Sequence, residues 1–312
     1  MGYERPRAWF AEARSVLAVN GRHLFRLPDL TPYPDAAMRM IKALVKDFFV
    51  WVIRGFSRTN VGLYAYQQIL DAAMDRKKAV TYHSNKMTFS APNRLCDYRV
   101  KTFENKEPDT LDWIESIAEG AVLWDVGANV GLYTVYAAKA RKCEVYAFEP
   151  SVFNLELLTR NIFLNHLQRQ VTVLPIALSD ALGEATFRMS TTVWGGALST
   201  FGEEFDQHGL PLKTTFEYKT FGLSMDEAAS LLQIPLPRHI KIDVDGLEHF
   251  ILRGGSDVLK QVESVLIEIN DDFSSQSEES ARCLKEAGLS LYRKCDIDAA
   301  MMFNQWWVRD SA

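Results

Sequence analysis

The chain has 312 residues, of which 47% are hydrophobic and 24% are charged, and its formal net charge is −5. This composition is typical of a folded globular protein with a large core, and the acidic balance excludes a broad basic surface for nucleic acid. No nucleic-acid partner is therefore expected. The four cysteines form no CxxC pair and no zinc pattern with histidine, and the N-terminus has no apolar signal core, so we expect a cytoplasmic protein.

Residues 1–95 are predicted to form an N-terminal arm and a helical accessory region, followed by a second domain over 96–312. Prolines interrupt the arm up to about residue 35, and Asp35 is the predicted N-cap of a helix over 36–54. The apolar run within 43–56 is broken by charges and is too short for a transmembrane span, so none is expected.

The predicted helix over 36–54 carries a basic stripe of Arg39, Lys42 and Lys46 on an otherwise apolar cylinder. Because a soluble monomer rarely exposes so much apolar surface, we expect this helix to cap the rest of the chain or to pack on a second subunit in a homodimer. The alternative is a helix that lies in a membrane interface.

Further along, a helix is predicted over 61–75 and a strand or hairpin over 80–90. From Pro108 onward, apolar strands alternate with amphipathic helices, which predicts a mainly parallel sheet with right-handed crossovers. The predicted strands lie at 122–126, 144–148, 171–177, 184–189, 216–222, 239–243 and 263–269, the helices at 108–117, 131–140, 151–165, 225–232, 246–253 and 276–287, and a final hairpin at 289–294 and 301–308. The hairpin gives the sheet an antiparallel edge.

The strongest motif runs from Val122 to Tyr133, where an apolar strand ends in Asp125 and a glycine-containing turn leads into a helix. Gly127 and Gly131 permit close approach of a ligand to the backbone. The turn lacks the Gly-Lys-Ser/Thr of a phosphate-binding loop and the G-x-G-x-x-G of a dinucleotide site. The remaining ligand is one without a pyrophosphate, and Asp125 suits the ammonium of an amino-acid moiety.

Two more strand ends extend this predicted site. Glu149 ends the next strand, where an acid can accept hydrogen bonds from both ribose hydroxyls of a nucleoside. Ser179 and Asp180 follow the third strand and are predicted to hold an adenine amino group, with an ordinary turn as the alternative.

The fourth motif is the string from Ile240 to Glu248, in which a strand ends in Asp243 and Asp245 precedes Gly246. Ligands of open parallel sheets bind at the carboxyl ends of the strands, so Asp243 is expected near the reacting atoms. Glu268 and Asn270 end the neighbouring strand and face the same crevice.

Together these segments resemble the FkbM family of methyltransferases, with the resemblance covering about 100–270. It implies a Rossmann-like class I methyltransferase fold over 96–312, a mainly parallel seven-stranded sheet with an antiparallel edge, and an N-terminal helical layer. It also implies S-adenosyl-L-methionine as the methyl donor and O-methylation of a small-molecule or glycan acceptor, on a hydroxyl of a sugar, glycoside or natural-product alcohol.

The resemblance assigns the donor to residues at the strand ends, with Asn129 and Asp125 on the methionine part and Glu149 on the ribose. The full predicted cofactor set is Glu107, Asp125, Gly127, Asn129, Gly131, Tyr133, Glu149, Pro150, Ser151, Ala177, Ser179 and Asp243. The predicted catalytic residues are Asp243, Glu268 and Lys241. A histidine commonly occupies the position of Asn270 in the family, and this departure leaves its role open.

Two mechanisms remain open for the acceptor hydroxyl. Asp243 acts directly as a base, or Asp243, Glu268 and Asn270 hold Mg²⁺. The segment 190–215, with Trp194-Gly195-Gly196, is predicted to form a lid whose aromatic rings stack on the acceptor, with a purely structural excursion as the alternative. His166, His208 and His249 are candidate bases by residue type only, and His249 is expected to face solvent.

Rival functions are less well supported by the same residues. The missing G-x-G-x-x-G disfavours a nicotinamide-dependent dehydrogenase, and the intact acids disfavour a non-catalytic cofactor-binding protein. An N-methyltransferase or a macromolecule methyltransferase stays the alternative. Asp-Val-Asp-Gly after the fourth strand, in place of an Asn/Asp-Pro-Pro-Tyr/Phe string, favours oxygen as the acceptor atom.

Overall fold

The structure, a computed structural model, describes residues 34–298 and 302–309, with side chains over 40–295 and 304–309. The predicted arm before Pro34 lies outside the described residues. The chain divides into two compact units, of which the first ends at Gln68 and the second begins at Ile69.

In chain order the helices and strands alternate much as predicted. They are α1 (Pro34–Phe56), α2 (Asn60–Met74), β1 (Lys77–Tyr82), β2 (Asn85–Ser90), α3 (Arg94–Lys101), α4 (Phe103–Lys106), α5 (Pro108–Ser116), β3 (Val122–Val126), α6 (Leu132–Ala140), β4 (Glu144–Phe148), α7 (Val152–Leu164), β5 (Val171–Leu174), β6 (Ala177–Leu178), β7 (Gly183–Met189), β8 (Ser199–Phe201), β9 (Phe216–Leu223), α8 (Met225–Leu232), β10 (His239–Ile242), α9 (Glu248–Arg253), α10 (Ser256–Leu259), β11 (Ser264–Asn270), α11 (Ser274–Glu286), β12 (Leu289–Asp298) and β13 (Met302–Arg309).

The first unit contains α1 and the start of α2, which confirms the two predicted N-terminal helices. α1 begins at Pro34, so Asp35 lies inside the helix and its predicted role as the N-cap is wrong. Thr59 caps α2, since its hydroxyl accepts a hydrogen bond from the Gly62 amide at 3.0 Å. No helix of the described residues is long and apolar enough to cross a membrane.

A seven-stranded sheet forms the centre of the second unit, in the order β12-β13-β11-β10-β3-β4-β5. β10, β3, β4, β5 and β11 pair in parallel, while β13 runs antiparallel to both of its neighbours. The predicted mainly parallel sheet with an antiparallel edge is confirmed. Because β3 and β10 are adjacent and parallel, their carboxyl ends meet at the middle of one edge, where open α/β sheets bind ligands.

Local sequence explains where the observed elements differ from the prediction. The predicted strand over 171–177 divides into β5 and β6 because Pro175 has no N–H for a ladder hydrogen bond. α3 was not predicted, although Asn93 carries the signal, since its side chain accepts from the Cys96 amide at 2.8 Å as an N-cap. The segment 190–215 contains the short strand β8, which extends a second sheet of order β6-β9-β7-β8.

The β1–β2 hairpin packs against the large sheet's helices and so belongs with the second unit. Met87 and Phe89 are fully buried in the same cluster as Trp113 and Ile114. Compact packing therefore begins earlier in the chain than the domain boundary predicted between residues 95 and 96.

Asn161 on α7 connects this hairpin to the turn after β3. Its side-chain oxygen accepts from the Ser90 amide at 2.7 Å, and its side-chain nitrogen donates to the Val130 carbonyl at 2.7 Å. Asn161 is fully buried, so neither backbone group has water as a replacement partner.

Replacing Asn161 with alanine should lower the free energy of unfolding by about 2–4 kcal/mol, because two buried backbone groups lose their partners. Thr159→Ala on the same helix is the matched control, since that exposed hydroxyl bonds only carbonyls of its own helix. Its expected change is within about 0.5 kcal/mol. Urea unfolding followed by circular dichroism measures both, and equal stability of the two variants would contradict the role given to Asn161.

Candidate active site

The turn between β3 and α6 can form only with glycine at two positions. Gly127 has φ +84°, and a Cβ there would lie 1.9 Å from the carbonyl oxygen of Asp243. Gly131 has φ +79°, and its Cβ would lie 2.4 Å from Cδ1 of Leu158. Both positions combine left-handed backbone with a close approach, so any side chain is excluded. The turn is therefore held directly against the end of β10.

Asp125 is buried on β3 beneath this turn. Its carboxylate accepts a short hydrogen bond from the Thr134 hydroxyl on α6. Burial raises the pKa of Asp125, while Lys241 and the Thr134 hydroxyl oppose that shift. The Asp125 carboxylate thus has little competing water around it and lies near the Lys241 cation.

Glu149 lies at the end of β4 and is bonded to the turn. One carboxylate oxygen accepts from the Asn129 amide at 2.7 Å and the other from the Ser151 amide at 2.8 Å. Burial raises the pKa of Glu149 to about 7, and these hydrogen bonds limit the rise. The Asn154 side chain also hydrogen-bonds this carboxylate, so protein groups already use most of its acceptor capacity.

Pro150 and Ser151 serve the backbone around Glu149. The Pro150 carbonyl accepts from the Tyr218 hydroxyl at 2.6 Å. Ser151 is buried and caps α7, accepting from the Asn154 amide at 3.4 Å. Both residues therefore position Glu149 and begin the following helix.

A buried ion pair lies at the end of β10. The Lys241 ammonium is 2.7 Å from the Asp243 carboxylate, and Lys241 is only 4% exposed. Burial raises the pKa of Asp243, but the nearby Lys241 outweighs it and the net shift is downward. Burial likewise lowers the pKa of Lys241, and the carboxylates of Asp243, Glu107 and Asp125 more than reverse this. Both partners are therefore charged.

Two further acids, Glu107 and Glu268, lie near this ion pair. Glu107 is buried, bonded to Lys106 at 2.9 Å and to the Thr110 hydroxyl at 3.2 Å. Burial and the neighbouring carboxylates raise the pKa of Glu268 well above its usual value, which favours the protonated acid. Glu268 is thus better suited to donate a hydrogen bond than to accept a proton.

The strand ends enclose a cavity of about 360 Å³, within the usual range of roughly 300–1,000 Å³ for ligand pockets. All three predicted catalytic residues, Asp243, Glu268 and Lys241, line it. Six predicted cofactor residues line it, namely Glu107, Asp125, Gly127, Asn129, Tyr133 and Asp243, whereas Gly131, Glu149, Pro150 and Ser151 are not among its lining residues. The Tyr133 ring faces the Lys241 ammonium at 5.3 Å.

Ala177 and Ser179 are not part of this cavity. Ser179 lines a second cavity of about 270 Å³ together with Asp180, and Asp180 pairs with Arg253 at 2.7 Å. Ala177 is buried in an apolar cluster with Phe187 and other side chains. The adenine contact assigned to Ser179 stays a prediction.

The segment 190–215 lies over the turn, but its aromatic rings do not face the cavity. Trp194 packs against the buried cluster that contains Cys96 and Leu157, and Phe201 is buried in another cluster. The expectation that these rings stack on the acceptor is therefore wrong. The segment contributes Ala197, Leu198, Gln207 and His208 to the cavity wall instead.

Hydrogen bonds from side chains outside this segment hold its Gly195 and Gly196 in place. Arg99 Nε donates to the Gly195 carbonyl at 2.8 Å. Asn129 donates to the Gly196 carbonyl at 2.8 Å, and Asn154 accepts from the Gly195 amide at 3.1 Å. The cavity wall is thus bonded to the same turn that carries Gly127.

Asp245 holds the next part of the segment. Its carboxylate accepts from the Leu198 amide at 2.7 Å and the Ser199 amide at 3.4 Å, and its own φ is +60°. Burial and the nearby Asp243 raise its pKa to about 6. The sequence shows this acid in the motif from Ile240 to Glu248 but not its partners, because Leu198 and Ser199 are distant in sequence.

Asn270 holds His208 at the mouth of the cavity. Its amide oxygen accepts from the Asp272 amide at 3.0 Å, which fixes its nitrogen toward Nδ1 of His208 at 2.9 Å. Nε2 of the same ring lies 3.3 Å from the side-chain nitrogen of Gln207, so both ring nitrogens have amide neighbours. His208 thus forms part of the cavity wall, and its role as a candidate base stays a prediction.

The other two histidines do not reach the site. His166 is exposed in the turn after α7. His249 is buried against Phe250 and Phe273, so the expectation that it faces solvent is wrong. Neither lines the cavity.

Comparison with known proteins identifies the family. The model of the methyltransferase FkbM domain matches residues 125–291, more than half of the chain. The chain belongs to the FkbM methyltransferase family. This FkbM protein is an S-adenosylmethionine-dependent methyltransferase, as its sequence predicted.

Two curated relatives and one solved structure resemble this FkbM protein. The hexuronic acid methyltransferase AglP of Haloferax volcanii is 28% identical over 195 residues, which cover 62% of this chain and 73% of AglP. The AMB antimetabolite synthetase AmbE of Pseudomonas aeruginosa is 46% identical over 68 residues, 22% of this chain and only 3% of AmbE. Fibrillarin of Aeropyrum pernix, solved with natively bound S-adenosyl-L-methionine, is 9% identical with a TM-score of 0.44, over 75% of this chain and 84% of that one.

The charges lining the cavity fit the donor. Its wall carries three cationic side chains and five carboxyl groups, which are Arg99, Lys106, Lys241, Glu107, Asp125, Asp243, Asp245 and Glu268. S-adenosylmethionine has a sulfonium and an ammonium against one carboxylate, so an excess of acids complements it. The Asp243 carbonyl fills the space beside Gly127, so this glycine allows the turn to pack on β10.

The residues suggested for Mg²⁺ do not fit a metal. The Asp243 carboxylate already has Lys241 as its cation, and both side-chain atoms of Asn270 are bonded to protein groups. Within the described ranges, no group of three His, Cys, Asp or Glu residues is placed to hold a metal ion. We therefore derive no step that uses a metal.

Glu149 should make donor binding dependent on pH. Because its pKa in the free protein is about 7, the ionised acceptor form is lost as the pH falls through 7. The Kd for S-adenosylmethionine should be flat above pH 8 and rise up to about tenfold per pH unit below 7. Glu149→Gln should weaken binding about 10²-fold or more at pH 8 and remove this pH dependence.

Calorimetric titration of wild type and Glu149→Gln between pH 5.5 and 8.5 measures both effects. Glu144→Gln is the matched control, since Glu144 is exposed at the opposite end of β4 and bonds Tyr146. An affinity of Glu149→Gln within about threefold of wild type would remove Glu149 from the donor site.

Proposed function

We propose that this FkbM methyltransferase transfers the methyl group of S-adenosylmethionine to a hydroxyl oxygen of a sugar that carries a carboxylate. The observation that supports it most is the ion pair of Lys241 and Asp243 at 2.7 Å in the wall of the cavity. It provides a fixed, ionised carboxylate beside the proposed donor site. A hydroxyl group is the acceptor that such a carboxylate can orient and deprotonate.

S-adenosylmethionine supplies an electrophilic methyl group when it is bound. The chain's part is to align the acceptor oxygen, and alignment is worth on the order of 7 kcal/mol or more in favourable cases. One oxygen of Asp243 is held by Lys241, and the other is available to accept a hydrogen bond from the acceptor hydroxyl. This arrangement points the lone pair of the hydroxyl oxygen into the site.

The low pKa of Asp243 determines when the proton moves. A strongly ionised carboxylate is too weak a base to deprotonate a free alcohol in advance. As the new C–O bond forms, the bond between sulfur and the methyl group breaks and its electron pair stays on sulfur, which leaves S-adenosylhomocysteine. The hydroxyl oxygen becomes positively charged and far more acidic, and Asp243 then accepts its proton. Lys241 acts as a positioning residue, since it keeps Asp243 ionised and fixes its rotamer.

The carboxylate of the acceptor would be recognised by Arg99. Arg99 uses Nε for the Gly195 carbonyl, which leaves its terminal nitrogens for a bidentate contact at the cavity wall. The name of the relative AglP, a hexuronic acid methyltransferase, supports a sugar acid as the acceptor class.

Asp243→Asn should lower kcat by about 10²–10⁴-fold, the usual loss for a general base, because the amide cannot accept the proton. The Kd for S-adenosylmethionine should change by less than about threefold. Asp257→Asn, an exposed aspartate paired with Lys260, is the control and should be fully active. Retention of near wild-type kcat by Asp243→Asn would make Asp243 structural.

Chelation gives the companion measurement. Wild-type activity should persist after treatment with EDTA, because Lys241 rather than a metal neutralises Asp243. Loss of activity in EDTA and its return with Mg²⁺ would overturn this mechanism and restore the metal alternative. Glu268→Gln should keep much of the activity, since a neutral amide can replace a protonated acid as a donor.

The acceptor class can be tested with radiolabelled methyl donor and matched glycosides. Methyl transfer is expected to glucuronic or galacturonic acid glycosides, with less to the neutral glucoside and none to the amine of a glucosamine glycoside. The product should be an ether that survives mild alkali, whereas a methyl ester would release methanol. Alkali-labile label, or label on the amine, would contradict O-methylation of a hydroxyl.

Arg99→Met separates recognition of acceptor from recognition of donor. We expect a rise in KM of at least about tenfold for the sugar acid and little change for the neutral glucoside, because only the acid has a carboxylate to lose. The Kd for S-adenosylmethionine should stay within about threefold of wild type. A large change in that Kd instead would assign Arg99 to the donor's carboxylate.

A further inference from the structure

Helix α1 has one broad apolar face that the described residues leave exposed. Seven side chains on this face recur at spacings of three and four and so share one side of the helix, namely Ile41, Leu44, Val45, Phe48, Trp51, Val52 and Phe56. Trp51 is 72% exposed and Phe48 60% exposed. An apolar patch of this kind on a folded protein marks an interaction site.

The opposite side of α1 carries most of its charge. Among the residues of α1 whose side chains the structure describes, Lys42, Lys46 and Arg54 lie there with a single acid, Asp47, and Arg58 follows the end of the helix. Val50 and Ile53 interrupt this side, so it is cationic without being wholly polar. A cationic side opposite aromatic and aliphatic rings is typical of helices that lie in a membrane interface.

The charge of the whole chain is divided in the same way. The first 68 residues contain ten Arg and Lys against five Asp and Glu, whereas the remaining residues contain 25 against 35. The first unit is thus positive although the protein is acidic overall. Its partner should therefore be an anionic surface.

We propose that α1 binds the protein to membranes that contain anionic lipids, lying parallel to the surface with its apolar face among the acyl chains. A second copy packed on the apolar face would leave the cationic side pointing away, with no group of opposite charge beside it. Nucleic acid would complement the positive charge, but it offers no apolar surface that matches the row of Phe48, Trp51 and Val52. Because no described helix can span a bilayer, attachment would be peripheral and reversible.

Sedimentation of the full-length protein with lipid vesicles tests this directly. Binding is expected to vesicles of phosphatidylcholine containing about a third phosphatidylglycerol, and much less to phosphatidylcholine alone. Raising the salt from about 0.05 M to about 0.5 M should weaken binding to the anionic vesicles. The assay does not depend on the acceptor or on methyl transfer, so its outcome is independent of the proposed function.

Variants of exposed residues separate the two sides of α1. Lys42→Gln with Lys46→Gln should weaken binding to anionic vesicles about thirtyfold, from the loss of two cations near the surface. Phe48→Ala with Trp51→Ala should weaken it by at least about tenfold. Phe163→Ala is the matched control, an aromatic ring 69% exposed on α7, and should bind as wild type. Unchanged donor affinity verifies that all variants are folded.

Trp51 also reports on insertion. Lipids brominated in the acyl chain should quench part of the tryptophan emission, and Trp51→Phe should lose that part. Failure of the full chain to bind anionic vesicles would overturn the proposal, as would equal binding to both vesicle types with no effect of the lysine variants. A dimer in light scattering that Phe48→Ala with Trp51→Ala dissociates, without vesicle binding, would assign the face to a second copy. Displacement from vesicles by RNA with equal affinity would assign it to nucleic acid.

Discussion

The ammonium of Lys241 lies on the central strand of the sheet, and the carboxylates of Asp125, Glu107 and Asp243 surround it. Taking any one of these groups out of water alone would cost several kcal/mol, so each depends on the others for its charged state. The cation keeps Asp243 ionised, and with the Thr134 hydroxyl it limits the rise in the pKa of Asp125. In the mechanism that we propose, donor recognition and acceptor activation would therefore share one electrostatic centre.

The backbone reinforces this coupling. Gly127 lies so close to the Asp243 carbonyl that the turn after β3 and the end of β10 can move only together. Asn129 and Asp245 then bond the segment 190–215 to the same two strand ends. A shift of one strand by a fraction of an ångström would displace the turn, the carboxylate and the cavity wall at once.

Much of this arrangement could be predicted from the sequence, because the rule that connects strand ends to ligand sites needs only the order of strands and acids. Asp125 and Asp243 were identified in this way, and the structure brings both to one cavity. The positions of His208 and Trp194 could not be predicted, since 190–215 has no periodicity and contacts with distant residues set its course. Ser179 shows a different limit. Its residue type and its turn suited an adenine contact, but in the structure it lines another cavity.

The pairing of β3 with β10 also has a consequence for how the protein is made. Trp124 lies beside Ile240, so the two halves of the site come from parts of the chain far apart in sequence. Parallel pairings of this kind form slowly because the entropy of closing a long loop is lost before any stabilising contact forms. On a ribosome, the turn after β3 would emerge well before β10, the strand on which it packs. Until β10 pairs with β3, the edge of β3 opposite β4 has no neighbour, and this interval is when a chaperone would be of most use to the nascent chain.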